Sequence, residues 1–401
     1  MKIILATTTI CASMIGVSSS AFADKDSDFE ARLKALESKF EETSASLPAP
    51  LLKAFKTAKI TGRLHVDAEF YDENSGLGDN RQDGFDITRA RLGIQGKLSE
   101  NFSYKFENDF AKNGSKIKDA FIAYDGLKNT QFKVGQFKQF FSLEELTSSN
   151  NITFMNRSAA VDAAPSRAVG LGVQTYGKNW QIAAGIFGES TGNESRSDDS
   201  KYSASIRASI APVNSDGKLV HLGLAATTSS KDRDNSGTPE KIDRENLFGA
   251  EIALGLNSWS LQGEYIINKT NYDKDGSATT ANQSTTYDSY YAQISYILTG
   301  ENRVYQVKSG TFKGVKVEKP VGKNGGIGAW ELAARFSKND RNDDEGTLLI
   351  EGESSQITLG VNWYLNNNIR LMANYVQSST EEKGQDDKDF DAFLLRAQIN
   401  F

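Results

Sequence analysis

The chain has 401 residues, 38% of them hydrophobic, with a mean hydropathy of -0.48 and a formal net charge of -6. It is too polar for a bundle of transmembrane helices, each needing about 20 consecutive apolar residues, and too acidic for bulk nucleic-acid binding. Thirty-four Gly, six Pro and 10% aromatics suit many strands with polar connections better than a disordered chain.

At the N-terminus, Lys2 precedes an apolar run from Ile3 to Val17, and Ala21-Phe22-Ala23 ends in small residues. Residues 1–23 read as a secretory signal peptide cleaved before Asp24. The single cysteine, Cys11, falls inside it, so the mature chain is expected to carry no disulfide. Phe29, Leu33, Leu36 and Phe40 then form a heptad seam with charged residues on the other faces. Two heptads make a marginal helix that needs partners, such as the same helix of neighbouring subunits. Residues 24–50 thus read as a short helical, coiled-coil arm ending in the stiff linker Leu47-Pro48-Ala49-Pro50.

After residue 56 the period changes to two. Leu64, Val66, Ala68 and Phe70 alternate with Arg63, His65, Asp67 and Glu69, and the chain ends with Phe393, Leu395, Ala397, Ile399 and Phe401 on one face. Strands are predicted at 57–71, 85–98, 101–110, 117–125, 129–135, 168–176, 180–187, 201–211, 218–228, 245–256, 259–268, 287–298, 329–338, 356–365, 369–377 and 389–401. These are sixteen strands with every proline outside them, as the cost of a lost ladder bond requires. A span of about ten residues is what a tilted strand needs to cross a bilayer.

A soluble sandwich alternates too, but here the second face carries Arg, Lys, Glu and Gln in nearly every strand, and a dry core would bury those charges. Trp180, Trp259, Trp330, Trp363 and Phe401 lie on apolar faces near strand ends, and short turns mostly alternate with long polar loops. The expected fold is an all-β, 16-stranded antiparallel transmembrane β-barrel spanning 57–401. One connection breaks the pattern. Residues 299–328 should be a short turn but form a long basic segment, with Arg303, Lys308, Lys313, Lys316, Lys319 and Lys323 against Glu301 and Glu318. It reads either as an extra hairpin, 304–307 with 312–317, or as a basic periplasmic flap.

Residues 135–158, Gly-Gln-Phe-Lys-Gln-Phe-Phe-Ser-Leu-Glu-Glu-Leu-Thr-Ser-Ser-Asn-Asn-Ile-Thr-Phe-Met-Asn-Arg-Ser, strongly resemble the third loop of the phosphate-selective porin O/P family. Thr88-Arg89-Ala90-Arg91-Leu92-Gly93 resembles its second-strand motif, and the stretches at 300–305 and 328–335 resemble two later ones. The resemblance implies a trimeric outer-membrane barrel whose third loop, 136–167, folds inward and narrows the channel. It also implies that the long connection at 299–328 is a family feature.

Carried over by motif, the constriction residues are Arg63, Arg89, Asp119, Ser148, Ser149 and Arg157, with Arg91 and Lys138 beside them as further candidates for the same lining. Two departures weaken phosphate selectivity. Thr88 stands where the phosphate-selective members have a second arginine, and Arg91 where they have a tyrosine. The third loop also carries Glu144 and Glu145, with no lysine after Lys138.

The inferred lumen face adds Lys105, Lys133, Arg207, Arg335, Arg370 and Arg396. With Lys59, Arg63, Arg89, Arg91 and Lys97, these eleven basic groups face eight acidic ones: Asp67, Glu69, Glu107, Asp109, Asp119, Glu251, Glu264 and Glu331. Such a surplus can act as a ladder of guanidinium donors, or pair across strands and merely keep the channel wet. No nucleophile motif, phosphate-cradling glycine loop or metal-ligand spacing accompanies His65 or His221, the two histidines.

The sequence therefore predicts a passive channel in the bacterial outer membrane favouring small anions, phosphate among them, with no catalytic residue, metal or cofactor. Its expected partners are those anions, outer-membrane lipid and two further copies of itself. The alternatives are a general diffusion porin with little charge preference, for which Thr88, Glu144, Glu145 and acidic outer loops speak, or a channel whose arm also tethers the cell envelope.

Overall fold

The computed structural model describes residues 58–401 except 73–82, 112–113, 189–201, 216, 235–240, 274–283, 323–324, 342–351 and 383–387, together with 34, 35, 38, 48, 53, 54, 56 and 57. Residues 1–56 and 57–401 are separate units. The signal peptide and most of the arm lie outside the described residues; 34, 35 and 38 are helical. Of the acidic outer-loop runs, Asp343, Asp344, Glu345, Asp386 and Asp387 also lie outside them, whereas Asp340, Glu381, Glu382 and Asp389 fall in strands.

Sixteen strands close a barrel: β1 (Lys59–Tyr71), β2 (Gly84–Lys97), β3 (Phe102–Asp109), β4 (Lys116–Leu127), β5 (Thr130–Lys138), β6 (Arg167–Tyr176), β7 (Trp180–Phe187), β8 (Ser203–Ser215), β9 (Lys218–Asp234), β10 (Lys241–Leu256), β11 (Trp259–Asp273), β12 (Ser284–Ile297), β15 (Ala329–Asp340), β16 (Gly352–Tyr364), β17 (Ile369–Glu382) and β18 (Lys388–Asn400). Every neighbouring pair is antiparallel, β12 pairs β15, and β18 closes on β1 through Asp67↔Arg396 and Arg63↔Asn400. The remaining two strands, β13 (Arg303–Gln306) and β14 (Thr311–Val315), form a separate hairpin. The basic segment is thus a flap and a hairpin at once.

Two expectations are corrected. Several strands outrun their predicted ends at the long-loop rim, β9 reaching Asp234 and β17 Glu382. Ladder hydrogen bonds continue there after the apolar alternation stops. Pro212 lies inside β8, at a register shift between Ile210 and Val213, where a bulge removes the need for its missing N–H.

The burial is inside out. Phe85, Ile186 and Leu224 are 82%, 62% and 68% exposed on the outer face, while Arg207, His221 and Asn362 are buried within. That distribution suits lipid outside, where ladder closure satisfies every spanning backbone group. Trp180, Trp259, Trp330 and Trp363 all sit at the short-turn end, Trp330 and Trp363 stacked at 4.9 Å. The seam is finished by Phe401, whose ring lies so close over Gly62 that a Cβ there would stand 2.2 Å from it.

Candidate functional site

The connection 139–166 between β5 and β6 is anchored from the opposite wall. Its four-residue helix α1 (Leu143–Leu146) begins against Glu264 of β11, whose carboxylate accepts the N–H of Leu143 at 2.9 Å and of Glu144 at 2.8 Å. Ser142 caps the same turn by accepting from the Glu145 N–H. A carboxyl oxygen accepting from orphan helix donors satisfies groups that burial would otherwise penalise. Phe141, Leu143, Ile152, Phe154 and Met155 are buried behind the loop.

Three predicted lumen arginines serve this anchoring. Arg335, Arg370 and Arg396 donate to the carbonyls of Asn156, Ile152 and Met155, at 3.0, 2.9 and 2.5 Å. Arg396 also forks onto Asp67 at 2.7 and 2.6 Å. All three are buried. A loop without regular structure leaves its carbonyls unpaired, and inward guanidiniums are the donors that reach them. Arg157 does likewise from within the loop, donating to the carbonyls of Glu144, Glu145 and Thr147.

The hairpin β13–β14 reaches the inner wall as well. Arg207 of β8 donates to the carbonyls of Ser309 and Gly310 at its tip, while forking onto Glu251. The Tyr305 hydroxyl lies 2.6 Å from His221 Nδ1, and His221 Nε2 lies 3.2 Å from Glu251.

Between the β1–β8 wall, the third loop and the hairpin tip lies a cavity of about 340 Å³. Arg63, Arg89, Arg91, Asp119, Lys138, Ser148, Ser149 and Arg157 all line it, joined by Lys105, Lys133 and Arg207. Arg63 donates to Ser149 at 2.9 Å and Ser148 at 3.3 Å, so wall and loop meet at this residue. A bulge explains the second-strand pair. The register passes from His65↔Arg89 to Val66↔Ile87, skipping Thr88. Thr88 and Arg89 consequently both turn inward, onto Asp67 at 2.7 Å and His65 Nδ1 at 3.3 Å. Because Arg89 can only donate, His65 Nδ1 accepts and Nε2 carries the proton toward Asn150.

Among the described residues, ten basic side chains line this cavity and five carboxylates pair with them, which leaves a surplus of five positive charges. Glu107 is shared by Arg63, Arg91 and Lys105, and Asp119 by Lys105 and Arg167. Arg89, Lys133 and Lys313 meet no carboxylate among the described residues. Lys313, on the hairpin, is drawn below the ordinary lysine range by burial and by the ammoniums of Lys105 and Lys308. Glu144 and Glu145, expected to weaken an anion path, do not line the cavity. Glu144 faces Arg335 and the Ser158 N–H. Burial works to raise the Glu145 pKa, but Lys138 at 3.1 Å and Arg157 at 2.9 Å outweigh it and hold the carboxyl below its ordinary value.

A profile of the family described as phosphate-selective porin O and P matches residues 58–401. The chain belongs to this family. Porin O of Pseudomonas aeruginosa is 27% identical over 395 residues, covering 86% of this chain and 88% of that protein. Among solved structures, an anion-selective porin of Comamonas acidovorans superposes with a TM-score of 0.54 at 15% identity, covering 86% of this chain and 99% of the other. The trimer form of Vibrio cholerae OmpT superposes at 0.55 and 12% identity, with the same coverage. This protein is accordingly a porin of the bacterial outer membrane, its short turns facing the periplasm.

The sequence reading missed two cations of this cavity. Arg167, the first residue of β6, pairs with Asp119 at 2.7 Å, and Lys313 comes from the hairpin. Only the basicity of residues 299–328 pointed to the latter.

Proposed function

We propose that this porin passes small anions selectively, phosphate-type oxyanions among them, by diffusion through the basic neck. The observation that carries this reading is the charge surplus at the cavity, above all the three cations without a carboxylate partner. In a narrow low-dielectric passage such charges focus the field and raise local anion concentration. Arg63, Arg89 and Arg91 offer forked donors and Ser148 and Ser149 hydroxyls, which offset partial dehydration of the ion. Arg157 and Lys138 act by shaping the loop as much as by their charge. Conduction requires no covalent step, only binding weak enough for release.

The working unit in this proposal is a homotrimer, by analogy with the trimer form of the Vibrio cholerae porin. Residues 1–23 are removed on export, and residues 24–46 form a periplasmic coiled coil that supports the trimer. A second reading, a general diffusion porin, is favoured by the sharing of Glu107 and Asp119 among the cations at one side of the neck. Phosphate titrated into a chloride-conducting bilayer separates the two. Selective binding predicts a saturable fall in chloride current that weakens when Arg89 becomes Ala. A linear current with no block supports the general porin.

A further inference from the structure

The cations account for an anion entering the neck but not for the neck's apolar side. Phe121 of β4 and Leu146 of α1 are half-buried and line the same cavity. Behind Phe121 stand Phe137 and Phe140, which also line it, and with Phe187 these rings interlock at centroid distances of 5.2 to 6.2 Å. Lys133 emerges at the edge of this surface, its Nζ 5.5 Å from the Phe121 ring and 5.7 Å from that of Phe137. A cation with no carboxylate partner among the described residues therefore stands at the border between the charged and the aromatic wall.

The arrangement repeats further out. A second cavity of about 330 Å³ shares Arg157 with the first, and its lining sets Arg157 and Arg335, with the Asp162 carboxyl, beside Val376, Phe390 and Leu394. An inorganic oxyanion gains nothing from such a wall, where it gives up water without a hydrogen bond in return. An anion with a charged head and a compact apolar body gains twice: its head meets Lys133 and the guanidiniums, and its body buries apolar area against Phe121 and Leu146.

We propose that the preferred cargo is an organic anion of this kind, a small acid carrying an aromatic or branched apolar body. The proposal rests on the anion-selective reading above and narrows its substrate class.

Benzoate and acetate make the test, since each carries one carboxylate and they differ in the apolar body. A passive sieve passes the smaller acetate faster. Bi-ionic reversal potentials in planar bilayers give both permeabilities relative to chloride. The expected benzoate-to-acetate ratio is above one, about fivefold from burying part of a phenyl ring. Phe121→Leu, which keeps an apolar side chain but removes the ring, and Leu146→Ser each lower it. A ratio at or below one in the unmodified channel overturns the proposal, as does a ratio above one that neither substitution lowers. The potassium chloride reversal potential of the same channels reads the underlying anion preference separately.

Discussion

Basic residues in this lumen fall into two groups, and the difference lies in what each guanidinium or ammonium meets. Arg91 is offset by Asp109 at 2.7 Å and Glu107 at 3.3 Å, while Arg89 and Lys133 have no such partner among the described residues. Replacing Arg89 or Lys133 by Ala should therefore lower the chloride-to-potassium permeability ratio by about threefold or more, whereas Arg91→Ala should change it by less than about twofold, because its guanidinium is already engaged by those two carboxylates and not by the passing ion. Reversal potentials in a salt gradient check the ranking, and equal effects would show that pairing does not decide the field. Alternation placed all these residues on the lumen face. It could not show which were committed, because that depends on loop carbonyls and on the bulge at Thr88, neither of which leaves a periodic signal.

At the scale of elements, the third loop is held by contacts that sequence separation hides. Glu264 is over a hundred residues from the helix it caps, so nothing local marks it. Glu264→Ala should cost roughly 2 kcal/mol, combining a lost cap with two unsatisfied buried N–H groups. A lowered thermal midpoint in detergent checks this. The Lys138–Glu145–Arg157 clamp gives a pH dependence. Glu145 is depressed in the folded state, so its contribution is complete above the unfolded value near 4.5 and is lost as pH falls through the lower folded value. Thermal scans from pH 7 to 3 should show this loss only below about pH 4.5, and Glu145→Gln should remove its share of the drop. The hairpin β13–β14 was legible as a basic interruption of the turn pattern. Its inward fold was not, since that rests on Arg207, Glu251, His221 and Tyr305 meeting from four separate segments. Deleting residues 304–314 should raise single-channel conductance about twofold or more, because the tip forms one side of the neck. An unchanged conductance would place the resistance elsewhere.

For the whole molecule, the barrel itself was the most legible feature. Its period of two repeats through sixteen strands, and lipid on one side with water on the other enforces that period on every strand. Register, closure at Gly62 and Phe401, and the filling of the lumen required coordinates. Assembly is a separate matter: if the arm coil supports the trimer, removal of residues 24–46 should lower the temperature at which trimers dissociate in mild detergent. An unchanged dissociation temperature would assign trimer stability to the barrel wall. The central claim is that the surplus positive charge at the neck makes this porin anion-selective. The zero-current potential across a planar bilayer, measured with a tenfold potassium chloride gradient and the purified protein, tests it most directly. The account predicts a potential of the sign set by chloride, corresponding to a chloride permeability several times that of potassium. A potential near zero, or of the sign set by potassium, would contradict it.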